Sequence, residues 1–495
     1  MLFSIARQAS LLALTAALAC AAPASAQNTS KQNAPKQSAD DKQIIGLADK
    51  NAPTLAANAL KIWNFAEIGY HETRSSALLQ ATLKDAGFTV KSGVAGMPTA
   101  FVASYRTGPG PVIALIGEFD SLPGLAQEAV PTRAPIAGQR AGHGCGHNLF
   151  GAASVGAAIT VRQWMDANHI KGEIRVYGAP AEEAGAGKVF MVRDGLFADV
   201  DAALHWHPAD INSASQQRSL AVVGMRFQFH GVASHAAASP EKGRSALDGV
   251  EVMDVAVNFL REHVPQETRI HYVIKKGGEA PNVVPDFAES EYYVRSPSAA
   301  ELAGIVDRVK KAAEGAAIAT GTRYEAILDS GVYDLLPNDV LGHIADRNLH
   351  ALGVPAYDAA QTAFARTLST SLDTKTFTPG SERAVEAYHS GDLDYGSTDV
   401  GDISYVVPTV GIQTATWAPG TSAHSWQAVA ASGMSIGTDG AVRAAKVLAM
   451  TAADLFRDPA QIKAAKAELD RRRGAGFQYK ALLGDVKPDL NYGED

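Results

Sequence analysis

Apolar positions along the chain change their period from one stretch to the next. Between residues 41 and 65, Ile44, Ile45, Leu47, Ala48, Leu55, Ala56, Leu60 and Trp63 recur at the spacing of a helix with one buried stripe. The pattern predicts a second helix over 75–86 and a short strand at 88–90. Val112-Ile113-Ala114-Leu115-Ile116 is then continuously apolar, as suits a central strand buried on both faces, and it runs into Glu118 and Asp120. A Gly/Ala-rich helix over 149–168 follows, with Asn148 placed to cap it. Further strands over 173–180 and 200–206 end at Glu182-Glu183 and at His205-Trp206-His207-Pro208. Ligands of open α/β sheets bind beyond the carboxyl ends of the strands. Acids and histidines at three such ends therefore share one rim.

The pattern shifts near residue 219. Residues 222–230 alternate apolar and polar, as a strand with one wet face does, and are followed by a helix over 245–264, strands over 269–275 and 287–295, and a helix over 299–318. This β-α-β-β-α-β order predicts a small α+β sandwich inserted in a larger domain, to which the chain returns near Tyr324. Residues 362–390 are polar and specify no element; a strand over 409–416 and helices over 432–454 and 459–472 close the chain. The expected fold is α/β: a mixed, mostly parallel sheet with helices on both faces, made by residues 41–219 and 324–495, and a lid or dimerisation domain at 220–323. Residues 27–40, rich in Gln, Asn, Lys and Ser, are expected to be a flexible N-terminus.

Composition narrows the function. A chain of 495 residues exceeds one ordinary core, and 46% hydrophobic with 19% charged residues is a globular balance. A net charge of -8 without a basic run excludes a nucleic-acid partner. Residues 1–26 have the layout of a cleaved signal peptide: Arg7, an apolar run over 11–22 too short to span a bilayer, and Ala24-Ser25-Ala26 before the cut. The expected location is periplasmic or secreted. Lipidation at Cys20 competes with this, but Ala17 stands where that signal prefers leucine. Cleavage after Ala26 leaves Cys145 as the sole cysteine, so no internal disulfide can form. An exported, unpaired thiol calls for burial or a metal.

Chemistry concentrates in Gly142-His143-Gly144-Cys145-Gly146-His147-Asn148. Thiolate and imidazole suit zinc and similar ions, and the interleaved glycines let the backbone approach closely. The heptad alone equally allows a buried hydrophobic cysteine or a Cys/His nucleophile pair. Likewise Glu118 alone could be a wet strand-end acid, and Glu182-Glu183 a solvated surface pair. Two adjacent glutamates at a strand end can also diverge, one towards a metal and one towards substrate.

Taken in order, Asp120-Ser-Leu-Pro, His143-Gly-Cys-Gly-His147, Glu182-Glu183, His205-Trp-His-Pro, His235, Asn282-Val-Val-Pro and His424 resemble the amidohydrolase branch of the binuclear metallopeptidases. That branch includes aminoacylases, indole-acetyl-amino-acid hydrolases and p-aminobenzoyl-glutamate hydrolases, and the similarity spans residues 41–460. Gly-Cys-Gly-His-Asn-Leu, Trp-His-Pro and Gly396-Ser-Thr-Asp-Val-Gly-Asp402 are most similar to the B-subunit group of the last. The resemblance implies that Cys145, His147, Glu183, a histidine of 205–207 and His424 hold two divalent ions, zinc or manganese. It implies Glu182 as general base, Asp120 and His143 as supports of the metal shell, and His235, Asn282 and Arg295 as substrate-binding groups, the first two reaching across a dimer. Two departures stand out: many members carry Asp where this chain has Asn148, and His205 and His207 each match one form of the histidine motif. His205 is preferred here.

The function implied is hydrolysis of the amide bond of N-acyl or N-aroyl amino acids, by a homodimer joined through the inserted domain or a heterodimer with a related subunit. Two rivals are a Cys145-nucleophile amidase with His143 or His147 as base, and a non-catalytic periplasmic binding protein on a decayed hydrolase scaffold. The first leaves the strand-end acids and His424 without a task. The second is opposed by the presence of every expected ligand and the base.

Overall fold

A computed structural model describes residues 35–373 and 377–493. The expected signal peptide, Cys20 and most of the 27–40 stretch lie outside them. A six-stranded sheet runs in the order Thr89–Ser92, Phe101–Arg106, Glu173–Ala179, Val112–Glu118, Ala202–Ala209, Thr409–Ala415. The last four are parallel to one another, and the first two add to them by antiparallel pairing. Every residue of Val112–Glu118 is buried, because helices cover both faces. Its odd positions, Ile113 and Leu115, join a core with the helices Ala39–Phe65, His147–Asn168 and Ser435–Arg457; Val112, Ala114 and Ile116 join one with Val189 to Val192 and Ile403. Gly117 allows close approach on the first face: a Cβ there would lie 3.4 Å from the Gly151 Cα.

The second sheet is antiparallel throughout, in the order Arg269–Lys276, Phe287–Ser296, Ala221–His230, Arg323–Val332. Helices Ala246–Leu260 and Ala299–Thr320 pack against it around Phe227, Phe229 and Tyr292. The chain leaves this sheet at Val332, not near Tyr324, because residues 323–332 pair along Ala221–His230.

Other local expectations are corrected as well. The first helix starts at Ala39, where Ser38 and Asp41 form a reciprocal capping box, so the end of the 27–40 stretch is ordered by its own side chains. Asn148 is not a cap. The helix begins at His147 with Gly146 as its N-cap, and the Asn148 amide donates to the carbonyls of Ala59 and Ser432 at 3.1 and 3.2 Å. An Asp at that position would set a carboxylate against two carbonyl oxygens, which accounts for the Asn. The polar stretch after residue 358 contains the helix Ala359–Ser369, capped by Asp358 and Gln361. After the helix Pro459–Arg473 the chain runs on to residue 493 without a further helix or strand, yet Leu483 is 1% exposed and Arg193 holds the Val486 carbonyl at 2.6 Å. Among the described residues no helix is long and apolar enough to cross a membrane.

Candidate metal centre and active site

The parallel strands deliver the side chains to one rim. Val112–Glu118 ends in Glu118 and leads to Asp120; Glu173–Ala179 leads to Glu182 and Glu183; Ala202–Ala209 carries His205 and His207; and Thr409–Ala415 leads into the loop of His424. The glycine-rich heptad fits between them. Gly146 has a φ of +76°, and a Cβ there would lie 2.8 Å from the Pro208 ring. The Gly144 carbonyl accepts the His424 N–H at 2.9 Å, which stitches the two loops together.

Among the described residues, three overlapping sets of donors lie close enough to surround a cation: Cys145, His147 and His207; Cys145, Glu183 and His424; and Glu118, His147 and Glu182. Cys145 Sγ is 3.4 Å from His207 Nε2, and Glu183 Oε1 is 3.4 Å from His424 Nε2. His147 donates through Nδ1 to Asp120 Oδ1 at 2.8 Å, and the other Asp120 oxygen accepts the Glu183 N–H at 2.9 Å. One carboxylate thus orients two donors, the task expected of a group behind a metal ligand. His207 donates through Nδ1 to the Pro208 carbonyl at 2.7 Å, which frees Nε2 as a lone-pair donor.

The donors fit a metal. His147 Nε2 and Glu183 Oε1 are buried without a hydrogen-bond partner among the described residues, although His147 Nε2 is only 3.0 Å from Glu118 Oε2. Burial pushes the Cys145 thiol up, so a thiolate there needs a neighbouring cation. Burial also raises Glu182 well above the usual carboxylate range, with Glu118, Glu183 and Asp399 adding to it. Burial would raise Glu183 too, but His424 and His147 bring it below its ordinary value.

The remaining expected residues divide. His205 belongs to none of the three sets; its ring packs against Gly411, where a Cβ would come within 2.4 Å of its Nε2, and burial lowers its pKa to about 4. The preference for His205 over His207 therefore gives way. His143 is held neutral by burial, at about 4, and its Nε2 donates to the Ile62 carbonyl at 3.1 Å, behind the donors. Arg295 lines the same cavity as Glu182, Glu183 and His424. It donates to Ser397 Oγ at 2.7 Å and, among the described residues, has no acidic partner within ion-pair distance. His235 and Asn282 are brought to each other, through the Ala236 N–H and Asn282 carbonyl at 3.0 Å, but neither lines that cavity.

Sequence reasoning missed a buried charge network. Lys188 is 0% exposed; its ammonium contacts Glu118 at 2.8 Å and also Asp399, whose other oxygen accepts the Lys188 N–H at 2.8 Å. Glu118 is thereby a partner of lysine on one side and of His147 on the other, not a wet strand-end acid. Glu72, raised to about 8 by burial and by Asp120, was missed as well. A lysine set in the apolar run Val189-Phe190-Met191-Val192 was the available signal for the first; Glu72 offered none.

Residues 221–320 match the family model described as a peptidase dimerisation domain. The chain is 39% identical over 436 residues to the B-subunit of the p-aminobenzoyl-glutamate hydrolase of Escherichia coli, an alignment covering 82% of this chain and 90% of that one. The chain belongs to the M20 family. It is a hydrolase of the peptidase and amidohydrolase type. A second relative, the mouse Xaa-Arg dipeptidase, is 31% identical, with 85% of this chain and 90% of the other covered. The fold is shared with a Bacillus subtilis protein described as a dinuclear metal binding peptidase from the M20 family, at a TM-score of 0.57 and 17% identity, covering 83% of this chain and 99% of that one.

Proposed function

We propose that this M20 hydrolase cleaves the amide bond of N-acyl or N-aroyl amino acids, with two divalent ions, zinc or manganese, held by Cys145, His147, Glu183, His207 and His424. The observation that carries the reading is the meeting of donors from separate segments around Cys145, with Glu182 beside them. A bound pair of divalent ions lowers the pKa of water and polarises a carbonyl. Glu182 takes a proton from the attacking water and returns it to the departing nitrogen. Asp120 keeps His147 and the Glu183 backbone in register. Arg295, lacking an acid of its own, receives the substrate carboxylate with Ser397 beside it.

The active form is a dimer of two copies or of this chain with a related subunit. Strand Arg269–Lys276 is a sheet edge with one side unpaired among the described residues and bears exposed Val273 and Ile274, and the helix Ala246–Leu260 exposes Val252, Val255 and Phe259 (70% exposed) at helical spacing. Through such a contact His235 and Asn282 would serve the partner's cleft, where His235 stabilises the oxyanion. Export after cleavage at Ala26 remains part of the proposal, and cell fractionation tests it.

The reading is tested by metal analysis of the purified mature chain beside a screen of N-acyl, N-benzoyl and p-aminobenzoyl amino acids. Activity should vanish on chelation and return with Zn²⁺ or Mn²⁺. Activity that resists chelation but is lost in Cys145→Ser would point to the cysteine nucleophile instead.

A further inference from the structure

The turn that carries Glu182 and Glu183 is gripped from behind at both ends. Glu72 Oε1 accepts the Ala181 N–H at 2.8 Å, and its other oxygen accepts the Thr99 hydroxyl at 3.0 Å. The Tyr70 hydroxyl donates to the Gly185 carbonyl at 2.9 Å. Between these bonds Gly69 lies so close that a Cβ would stand 2.8 Å from Ala184 Cβ and 3.0 Å from Ala181. The grip holds a conformation the turn would not choose. Ala181 and Ala186, which flank it, have φ of 57° and 59°, and Tyr70 itself has 65°, all in the left-handed region.

The gripping segment is in turn closed by the far end of the chain. His71 Nε2 donates to the Tyr492 carbonyl at 2.9 Å, and Gly493 lies against the Ile68 side chain. A tight local fold, Leu490 N–H to Pro488 carbonyl and Tyr492 N–H to Asp489 carbonyl, both 3.1 Å, presents that carbonyl. Upstream, the same segment is anchored by Arg193 on the Gly484 and Val486 carbonyls and by Tyr479 on Asp402. Tyr492 also packs against the apolar cluster that contains Tyr70, and burial raises its hydroxyl, with Tyr293, Asp120 and Glu183 adding to it.

We propose that Tyr70 and Glu72 are positioning residues that aim Glu182, and that residues 474–493 form a strap holding them in place. The proposal rests on the reading of Glu182 as the general base. It differs from a purely structural role in that loosening the strap disturbs proton transfer more than metal binding or folding.

The test uses the full mature chain, the same chain ended at Pro488, and the Tyr70→Phe, Glu72→Ala and Glu72→Gln variants. Turnover, metal content, thermal midpoint and amide hydrogen exchange of residues 181–186 are measured for each. The shortened chain, Tyr70→Phe and Glu72→Ala should lose about tenfold to a hundredfold in kcat, the usual consequence of a small misplacement, with KM within about twofold and metal content unchanged. Exchange at residues 181–186 should quicken in the same three. Glu72→Gln keeps an acceptor for the Ala181 N–H and should recover most of the kcat lost in Glu72→Ala. Unchanged exchange at 181–186 in the shortened chain, or losses that track metal content or folded fraction, would overturn the strap. A parent without metal-dependent turnover would overturn the functional reading, while the exchange measurement still decides whether the strap exists.

Discussion

The rim of the catalytic sheet and the inserted domain use charge in opposite ways. At the rim, Glu118, Asp120, His147, Lys188 and Asp399 are each 2% exposed or less, and each contacts another of the set. In the inserted domain the buried residues are largely apolar, while Arg226 pairs with Asp329 near the surface and His235 and Asn282 stand exposed. The first region is organised inward, charge against charge, around two buried atoms, His147 Nε2 and Glu183 Oε1, that have no hydrogen-bond partner among the described residues. The second has an apolar helix face on its outside and a sheet edge that no other strand pairs among the described residues, as the proposed dimer requires.

Breaking the inward-facing region at its reactive group has the largest expected effect. Glu182→Ala should lower kcat on the order of 10²–10⁴-fold, as removal of a general base does, with metal content intact. Near-normal turnover would remove Glu182 from that role. The outward-facing region comes next: Val255→Asp with Phe259→Asp should yield monomers by sedimentation and reduce turnover about a hundredfold, since a missing oxyanion partner costs about that much. Monomers of full activity would place His235 and Asn282 outside the reaction.

The charge network predicts a stability effect of a particular shape. Lys188→Met strands two buried carboxylates and should cost about 3–5 kcal/mol in denaturant unfolding, whereas adding Glu118→Gln and Asp399→Asn should restore most of it. A triple variant as unstable as the single one would show that packing, not charge, matters at Lys188. The smallest effect belongs to the inserted domain. Burial raises Asp254 from 3.8 to about 6, so the folded state binds its proton more tightly than the unfolded state. That contribution is present at low pH and lost as pH rises through about 6. Asp254→Asn should therefore match the parent near pH 4 and gain on it by pH 7, and a constant difference across that range would refute the assignment.

The same contrast explains what could be read from the residues alone. Periodicity sufficed for both sheets and most helices, because each buried face repeats a simple pattern. The meeting of Cys145, His147, Glu182, Glu183 and His424 at one rim was legible because they belong to an ordered set of motifs that resembles one family, while their roles are those proposed above. The choice between His205 and His207 was not: two residues apart on one strand, they share a face, and only the later segment bearing Gly411 decides which ring is covered. Asp399 was visible as part of a motif but not as the partner of Lys188, 211 positions away. Asn148 was misread as a cap because Gly146, in its left-handed conformation, takes that place. The stretch after Arg473 has no period at all, and much of its docking is through carbonyls, which carry no sequence signal.

If donors from scattered segments meet to hold cations as proposed, His207 belongs among them and His205 lies outside. Metal content should be measured after equilibrium dialysis on the parent, His205→Ala and His207→Ala. Two divalent ions per chain are expected in the parent and in His205→Ala, with a clear loss in His207→Ala. A parent that hydrolyses its substrate with no bound divalent ion, or a loss in His205→Ala alone, would contradict it.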